Sequence, residues 1–398
     1  MSKHIKINSS TGERTCGAFK RCGGCQLDKP YEEQLKWKQE KANRMLSGFC
    51  KVQPIIGMDY PYNYRNKVQT VYKLNSSKQI ISGVFQSSGK GMVSTDDCML
   101  EDVRAHRITA TLKRLMRSFR IEPYDDRSGR GLLRHTLIRT ARSTGQVMLV
   151  LVTAGPIFPA KKNFVRALLD KHPEITTVVQ NVCTNPVPLT LGERNIVMYG
   201  AGYIEDEMCG CRFRISPASF YQVNPEQTEK LYEIAINAAH IAKGTRVIDA
   251  YCGTGTIGMI CAKNGGEVAG VELNRYACKD AQENAKRNSL ENIRFFNEDA
   301  TDFMKALAEQ GESCDVLILD PPRAGSTPEF IQAAGELKPN RVIYVSCKIE
   351  TLERDLRLFK KAGFKAEFIQ PVDMFPHTTG IETVVSLIPK NKIQEAVK

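Results

Sequence analysis

Two side chains near the end of the chain carry the strongest chemical signal. Cys347 follows the apolar run Tyr344-Val345-Ser346 and precedes a charged helical pattern at residues 350–361. In an open α/β sheet such strand ends form the rim of the ligand crevice, and a thiolate on that rim is a strong nucleophile. A buried cysteine behaving as a small apolar residue explains the tetrapeptide alone equally well. Glu382 stands just before the last apolar run, residues 384–388, where a carboxylate can act as a base beside Cys347. His377, in Asp373-Met374-Phe375-Pro376-His377-Thr378, is a rival base, although an ordinary loop hydrogen bond is its default role.

A second group of residues suits a nucleoside ligand. Val247-Ile248-Asp249-Ala250-Tyr251-Cys252-Gly253-Thr254-Gly255-Thr256-Ile257-Gly258 reads as a strand, a glycine-rich turn and a helix start. Glu272 closes the next strand about twenty residues on, where an acid can accept hydrogen bonds from ribose hydroxyls. Gly253, Gly255 and Gly258 partly fit a dinucleotide fingerprint, which is weak evidence by itself. Asp249, just before the turn, opposes a pyrophosphate and better suits a cationic ligand such as S-adenosylmethionine. Asp299, after the third strand, is placed to reach an adenine amine. Asp320-Pro321-Pro322-Arg323 follows the fourth strand and lacks the final aromatic residue of amino-methylating enzymes.

A third group sits at the start of the chain. Cys16, Cys22 and Cys25 converge within ten residues, among three glycines. An iron–sulfur cube needs four thiolates, and the fourth can be distant in sequence. Cys98 is the best candidate for it, with Cys50 behind it and zinc as the alternative metal.

The elements that must position these residues follow from periodicity. Residues 31–47 read as a charged helix with a solvated face, with Leu35, Trp37 and Met45 as anchors. From residue 64 to about 181 strands and helices mix as in an α+β domain. Residues 104–142 carry eleven Lys and Arg against Glu122, Asp125 and Asp126. That bias suits a surface tracking phosphates, or else a solvated face. From about Cys211 the pattern becomes regular βαβα, with strands at 246–250, 267–272, 293–296, 316–320, 342–346 and 366–369. It predicts a mainly parallel, doubly wound sheet, with 384–388 as an antiparallel edge strand. The domains expected are residues 1–27 (metal segment), 28–58 (a helical segment on the catalytic domain), 59–210 (a central RNA-binding domain) and 211–398 (the catalytic domain).

Composition narrows the partners. The 398 residues carry a net charge of +12, which favours an anionic partner such as nucleic acid. The polar first fifteen residues lack a signal sequence, and no apolar run is long enough to span a bilayer. A cytoplasmic protein away from membranes is expected. Thirteen cysteines then point to metal binding or catalysis rather than disulfides.

The motifs Cys-x5-Cys-Gly-Gly-Cys, Phe220-Tyr221-Gln222-Val223-Asn224, Asp249-Ala250-Tyr251-Cys252-Gly253, Asp320-Pro321-Pro322-Arg323, Tyr344-Val345-Ser346-Cys347 and Asp373-Met374-Phe375-Pro376-His377-Thr378 occur in one order. In that order the chain resembles the RNA uracil-C5 methyltransferases, which modify 23S ribosomal RNA or the tRNA T-loop. The resemblance implies a Rossmann-like, S-adenosylmethionine-dependent domain with Cys347 as nucleophile and Glu382 as general base. It places the cofactor near Gln222, Tyr251, Glu272 and Asp320, with Thr256 and Asp299 as further contacts. It assigns a 4Fe–4S cluster to Cys16, Cys22, Cys25 and Cys98. Those thiols favour the 23S rRNA branch over tRNA. Only fifteen residues precede Cys16, so the N-terminal β-barrel of many rRNA members is expected to be missing. A monomer is expected. The competing classes are a non-catalytic RNA-binding protein and an iron–sulfur redox or radical enzyme.

Overall fold

The computed structural model describes residues 5–8, 12–89, 91–185 and 187–390. The outer ends of the first and last expected segments, residues 1–4 and 391–398, lie outside the described residues. The chain opens with a small antiparallel hairpin, β1 (Ile5–Ile7) and β2 (Arg14–Cys16), and a single turn, α1 (Phe19–Cys22). A long helix, α2 (Tyr31–Leu46), follows. Its buried positions are Gln34, Lys38, Ala42 and Leu46, one stripe at a spacing of four. The expected anchors Leu35, Trp37 and Met45 are only half-buried, and the expected solvated charges include Lys38, which is wholly covered. A buried lysine is tolerable here because Asp373 meets it at 2.5 Å.

The middle of the chain forms a seven-stranded sheet in the order β5-β4-β3-β6-β7-β8-β9. Its elements are β3 (Lys67–Leu74), β4 (Ile80–Phe85), β5 (Met92–Val93), α3 (Val103–Ser118), β6 (Leu133–Thr140), β7 (Val147–Thr153), α4 (Lys161–Leu169), β8 (Ile175–Val182) and β9 (Arg194–Tyr199). Only β7 and β8 pair in parallel, around the α4 crossover. Every residue of β7 is buried, as a strand covered on both faces requires. One face packs Ile108, Leu112 and Phe164 of α3 and α4. The other face, with Leu137, Ala141, Met148 and Val150, joins the core of the C-terminal half.

The hairpin β10 (Ile204–Met208) and β11 (Cys211–Ile215) lies between the halves. The expected boundary at 210/211 falls in its turn. β10 was not expected, because its sequence Ile-Glu-Asp-Glu-Met is largely acidic. Its central Asp206 is nonetheless buried, accepting hydrogen bonds from the backbone and hydroxyl of Ser143, each at 2.8 Å, and from Tyr221 at 3.2 Å.

The C-terminal half is the doubly wound sheet. After α5 (Pro225–Ala239) come β12 (Arg246–Ala250), α6 (Thr256–Lys263), β13 (Glu267–Val271), α7 (Arg275–Arg287), β14 (Ile293–Phe296) and α8 (Ala300–Glu309). Then follow β15 (Val316–Leu319), α9 (Pro328–Leu337), β16 (Arg341–Ser346), α10 (Ile349–Lys361), β17 (Phe364–Val372) and β18 (Glu382–Pro389). The strand order is β14-β13-β12-β15-β16-β18-β17, parallel except for β18. The final strand is antiparallel as expected but is not an edge. Its first six residues are buried, so it inserts between β16 and β17 and leaves the more exposed β17 outside. Residues of α5, α6 and α7 cover one face. Residues of α8, α9, α10 and α2 cover the other.

Candidate active site

Strand register brings the two reactive side chains together. β16 and β18 are antiparallel with Ser346 opposite Thr383. Cys347 directly follows the last paired residue of β16, and Glu382 directly precedes Thr383 as the first residue of β18. Two residues thirty-five apart in sequence thus stand at the same end of one strand pair. Asp320 ends the neighbouring strand β15, and Arg323 follows three residues later.

These groups lie within electrostatic range of one another. Burial pushes Glu382 up to about 8, with Asp320 adding to the rise and Arg323 opposing it. Burial alone pushes Asp320 up to about 7. Burial, then Glu382 and Asp320, push the Cys347 thiol up to about 11, again against Arg323. Tyr232 of α5, which the sequence reading did not single out, stands among them. Burial raises its hydroxyl well above the usual range, followed by Asp320, while Gln222 lies within hydrogen-bonding reach. An apolar helical stripe hides such a tyrosine, so no sequence signal marks it.

The glycine-rich turn departs from a phosphate-binding loop in a specific way. Gly255 takes φ +78°, and a Cβ there would come within 2.7 Å of Phe295, so only glycine fits. Gly258 lies so close to Asp249 that a Cβ would meet its Oδ2 at 2.7 Å. Two loop amides are already occupied by carboxylates. Gly253 N donates to Glu272 Oε2 at 2.9 Å, and Gly258 N donates to Asp249 Oδ2 at 2.8 Å. Amides taken by anions are not free for a pyrophosphate. Burial pushes Asp249 up to about 7. The rim is therefore rich in buried acid with little base, which fits a ligand carrying positive charge. Asp249 itself is 1% exposed and serves the start of α6 rather than facing a ligand.

The remaining expected cofactor residues lie on the same sheet edge. Glu272 follows β13 and also accepts from Asn274 N at 2.7 Å. Tyr251, at φ +61°, bonds Ser326 Oγ at 3.2 Å and lies near Asp299. Asp299 caps α8 through Oδ1, which accepts from Thr301 N at 2.8 Å and Asp302 N at 3.3 Å. Thr256 opens α6, its hydroxyl 3.5 Å from that of Thr254. Asp355, also unmarked in the sequence, holds the Asp320–Ser326 loop. Its Oδ2 accepts from Ser326 N at 2.8 Å and from the Tyr344 hydroxyl at 2.7 Å.

His377 is not a base. Its Nδ1 meets Gln34 Nε2 at 3.1 Å and its Nε2 meets the Pro61 carbonyl at 3.2 Å. Burial pushes it down to about 4. Its own carbonyl accepts from Gln26 N at 2.9 Å and Leu27 N at 3.1 Å, which ties the cysteine segment to the loop before Glu382.

The four candidate metal ligands are free thiols, all half-buried. Cys16 and Cys22 lie within electrostatic range of Cys25, and Cys25 within range of Cys98. Four thiols are by chemistry the donor set an iron–sulfur centre takes. However, among the described residues no three such side chains close to the spacing of a metal site.

A family model for tRNA (uracil-5-)-methyltransferases matches residues 197–390. An uncharacterized RNA methyltransferase of Halalkalibacterium halodurans is 38% identical over 97% of this chain and 86% of its own length. A second, from Clostridium acetobutylicum, is also 38% identical, over 97% of this chain and 86% of its own. The fold is similar to that of the Pyrococcus abyssi tRNA (uracil-54, C5)-methyltransferase, solved in complex with S-adenosyl-L-homocysteine. The TM-score is 0.79 at 23% identity, covering 98% of this chain and 92% of that one. With relatives at 38% identity aligned along nearly its whole length, the chain belongs to the RNA methyltransferases and is a methyltransferase.

Proposed function

We propose that the protein methylates C5 of a uridine in RNA, with 23S rRNA as the target. The observation that carries this reading is the register of β16 and β18, which brings a thiol and a buried carboxylate to the same strand ends, within electrostatic range of each other. C5 of uracil is a poor nucleophile. Cys347 adds to C6 as its thiolate, the thiol proton having passed to solvent; the S–C6 bond forms and the C5–C6 π pair moves toward C5 and O4. S-adenosylmethionine, when bound, would supply the methyl group for C5, its S–CH3 bond breaking to leave S-adenosyl-L-homocysteine. Glu382 accepts the proton from C5, the pair left behind restores the double bond, and the S–C6 bond breaks. Because burial holds Glu382 near 8, it is basic enough for that proton and still partly ionised near neutrality. Gln222, Tyr251, Glu272 and Asp320 would hold the cofactor, with Thr256 and Asp299 beside them.

The target base must leave its stack, at a cost of a few kcal/mol. Phe220, 64% exposed beside Gln222, offers a stacking face that offsets about 1–3 kcal/mol of it. The central sheet would bind RNA. Cys16, Cys22, Cys25 and Cys98 would hold a 4Fe–4S cluster. That cluster would brace the protein rather than transfer electrons, since methyl transfer is redox-neutral. The thiols favour rRNA, whereas the family model's description favours tRNA.

Mass mapping of 5-methyluridine in 23S rRNA and tRNA from a strain lacking the gene decides between them. One rRNA site should vanish. Persistence of every rRNA site would refute the rRNA assignment, and loss of the T-loop methyl would move it to tRNA. RNA containing 5-fluorouridine should form a covalent complex with the enzyme on denaturing gels, and its absence would exclude Cys347 as nucleophile.

A further inference from the structure

The face of the central sheet turned toward the methyltransferase half carries an uncompensated charge pair. Lys67 on β3 stands directly opposite Arg139 on β6. Like charges at facing cross-strand positions destabilise a sheet, and burial sharpens the penalty because Arg139 is only 3% exposed. Arg139 donates through one terminal nitrogen to the carbonyls of Pro217 and Ser219, while its Nε has no partner. Among the described residues no carboxylate stands against Lys67. Its charged neighbours are Arg139 and Arg65, which together with burial push it down to about 8. Arg65 adds a third cation, donating through Nε to the Lys67 carbonyl at 3.3 Å.

These cations border the segment that leads to the catalytic pocket. The two carbonyls bonded by Arg139 flank the approach to exposed Phe220. Asn66, between Arg65 and Lys67, donates to the carbonyls of Gln222 and Val223, each at 3.0 Å. A fold retains such a pair where a ligand of opposite charge completes it. We propose that Arg65, Lys67 and Arg139 form a phosphate subsite that grips the RNA backbone beside the nucleotide entering the active site. Arg65 and Lys67 meet the phosphodiester, and covered Arg139 adds its charge from behind. The proposal rests on the RNA reading above but on residues outside the chemistry.

The test measures binding of a fluorescent single-stranded, uridine-rich RNA of about 20 nucleotides across about 50–300 mM salt. Lys67→Met should weaken binding and reduce the slope of log K against log salt by about 0.7, the loss of one phosphate contact. Lys67→Arg should restore both. Lys67→Glu should pair with Arg139 and melt above the wild type, yet bind RNA at least about tenfold more weakly at low salt. S-adenosyl-L-homocysteine binding should be unchanged in all three variants. A wild-type slope for Lys67→Met, joint loss of melting temperature and affinity in Lys67→Glu, or no RNA binding by the wild type would overturn the proposal. If the binding results hold but the wild type makes no 5-methyluridine, the functional reading fails and the subsite stands.

Discussion

In the proposed mechanism one buried carboxylate, Glu382, sets both rate and stability. If Glu382 is the general base it must be ionised, and the Cys347 thiol, pushed up to about 11, must also lose its proton, so the methylation rate should climb with pH through about 8 and go on rising toward about 11. Glu382→Gln should lower kcat about 10²–10⁴-fold. It should also accumulate a covalent protein–RNA adduct, because the C5 proton can no longer leave. Rapid-quench kinetics with denaturing gels would show both, and turnover at wild-type speed would exclude the role. The stability effect has the opposite sign. Glu382, Asp320 and Asp249 all have pKa values raised on folding, so the folded chain holds more protons than the unfolded one. Their contribution is greatest below about pH 4 and is lost as pH rises through about 7–8. Glu382→Gln should therefore melt above the wild type near pH 8.5 by about 1 °C per kcal/mol recovered, and with it near pH 4.5. Calorimetry at the two pH values checks this. Sequence identified Cys347 and Glu382 because each adjoins an apolar strand. It could not identify Tyr232, whose part depends on what faces α5 across the sheet.

At the scale of elements, α2 is the brace of the catalytic loop. Lys38 Nζ meets Asp373 Oδ1 at 2.5 Å and the Phe375 carbonyl at 3.0 Å, while the Tyr31 hydroxyl donates to Asp373 Oδ2 at 2.8 Å. Gln34 accepts from His377 N at 2.8 Å. From the other side, Asn224 Nδ2 and Gln227 Nε2 hold the Met374 and Asp373 carbonyls at 2.9 and 3.0 Å. The Asp373–Thr378 motif is thus a clamp that delivers Glu382 to β18, and its histidine is a structural residue. Lys38→Met would leave Asp373 buried without its cation and should cost about 3–5 kcal/mol in urea unfolding. A variant as stable as the wild type would show that the clamp adds nothing.

At the scale of the molecule, the N-terminal cysteine segment touches both halves. Ser87 N donates to the Arg21 carbonyl at 3.1 Å on the central side. Gln26 and Leu27 bond His377 on the catalytic side. If the four thiols hold a cluster, Cys25→Ser should abolish the iron content and visible absorbance of anaerobically purified protein. Its melting temperature should fall as well, since metal binding adds to folding stability. Iron retained at the wild-type ratio would exclude Cys25 as a ligand. None of the described helices is long and apolar enough to cross a membrane.

The amino-acid sequence by itself determined the doubly wound half, because alternating apolar strands and amphipathic helices can bury their faces in few other ways. It also marked the candidate reactive residues, Cys347 and Glu382, at the strand ends. Tertiary structure decided what depends on partners distant in the chain. β18 lies in the sheet interior because β16 and β17 pair with both its edges, and its first six residues, polar Glu382, Thr383 and Ser386 included, are buried. Lys38 went inside because Asp373, more than three hundred residues away, was there to meet it. The acidic β10 became a strand because Ser143 and Tyr221 satisfy Asp206. Local patterns report what a segment can bury, whereas only the assembled fold supplies the groups that make burying a charge tolerable.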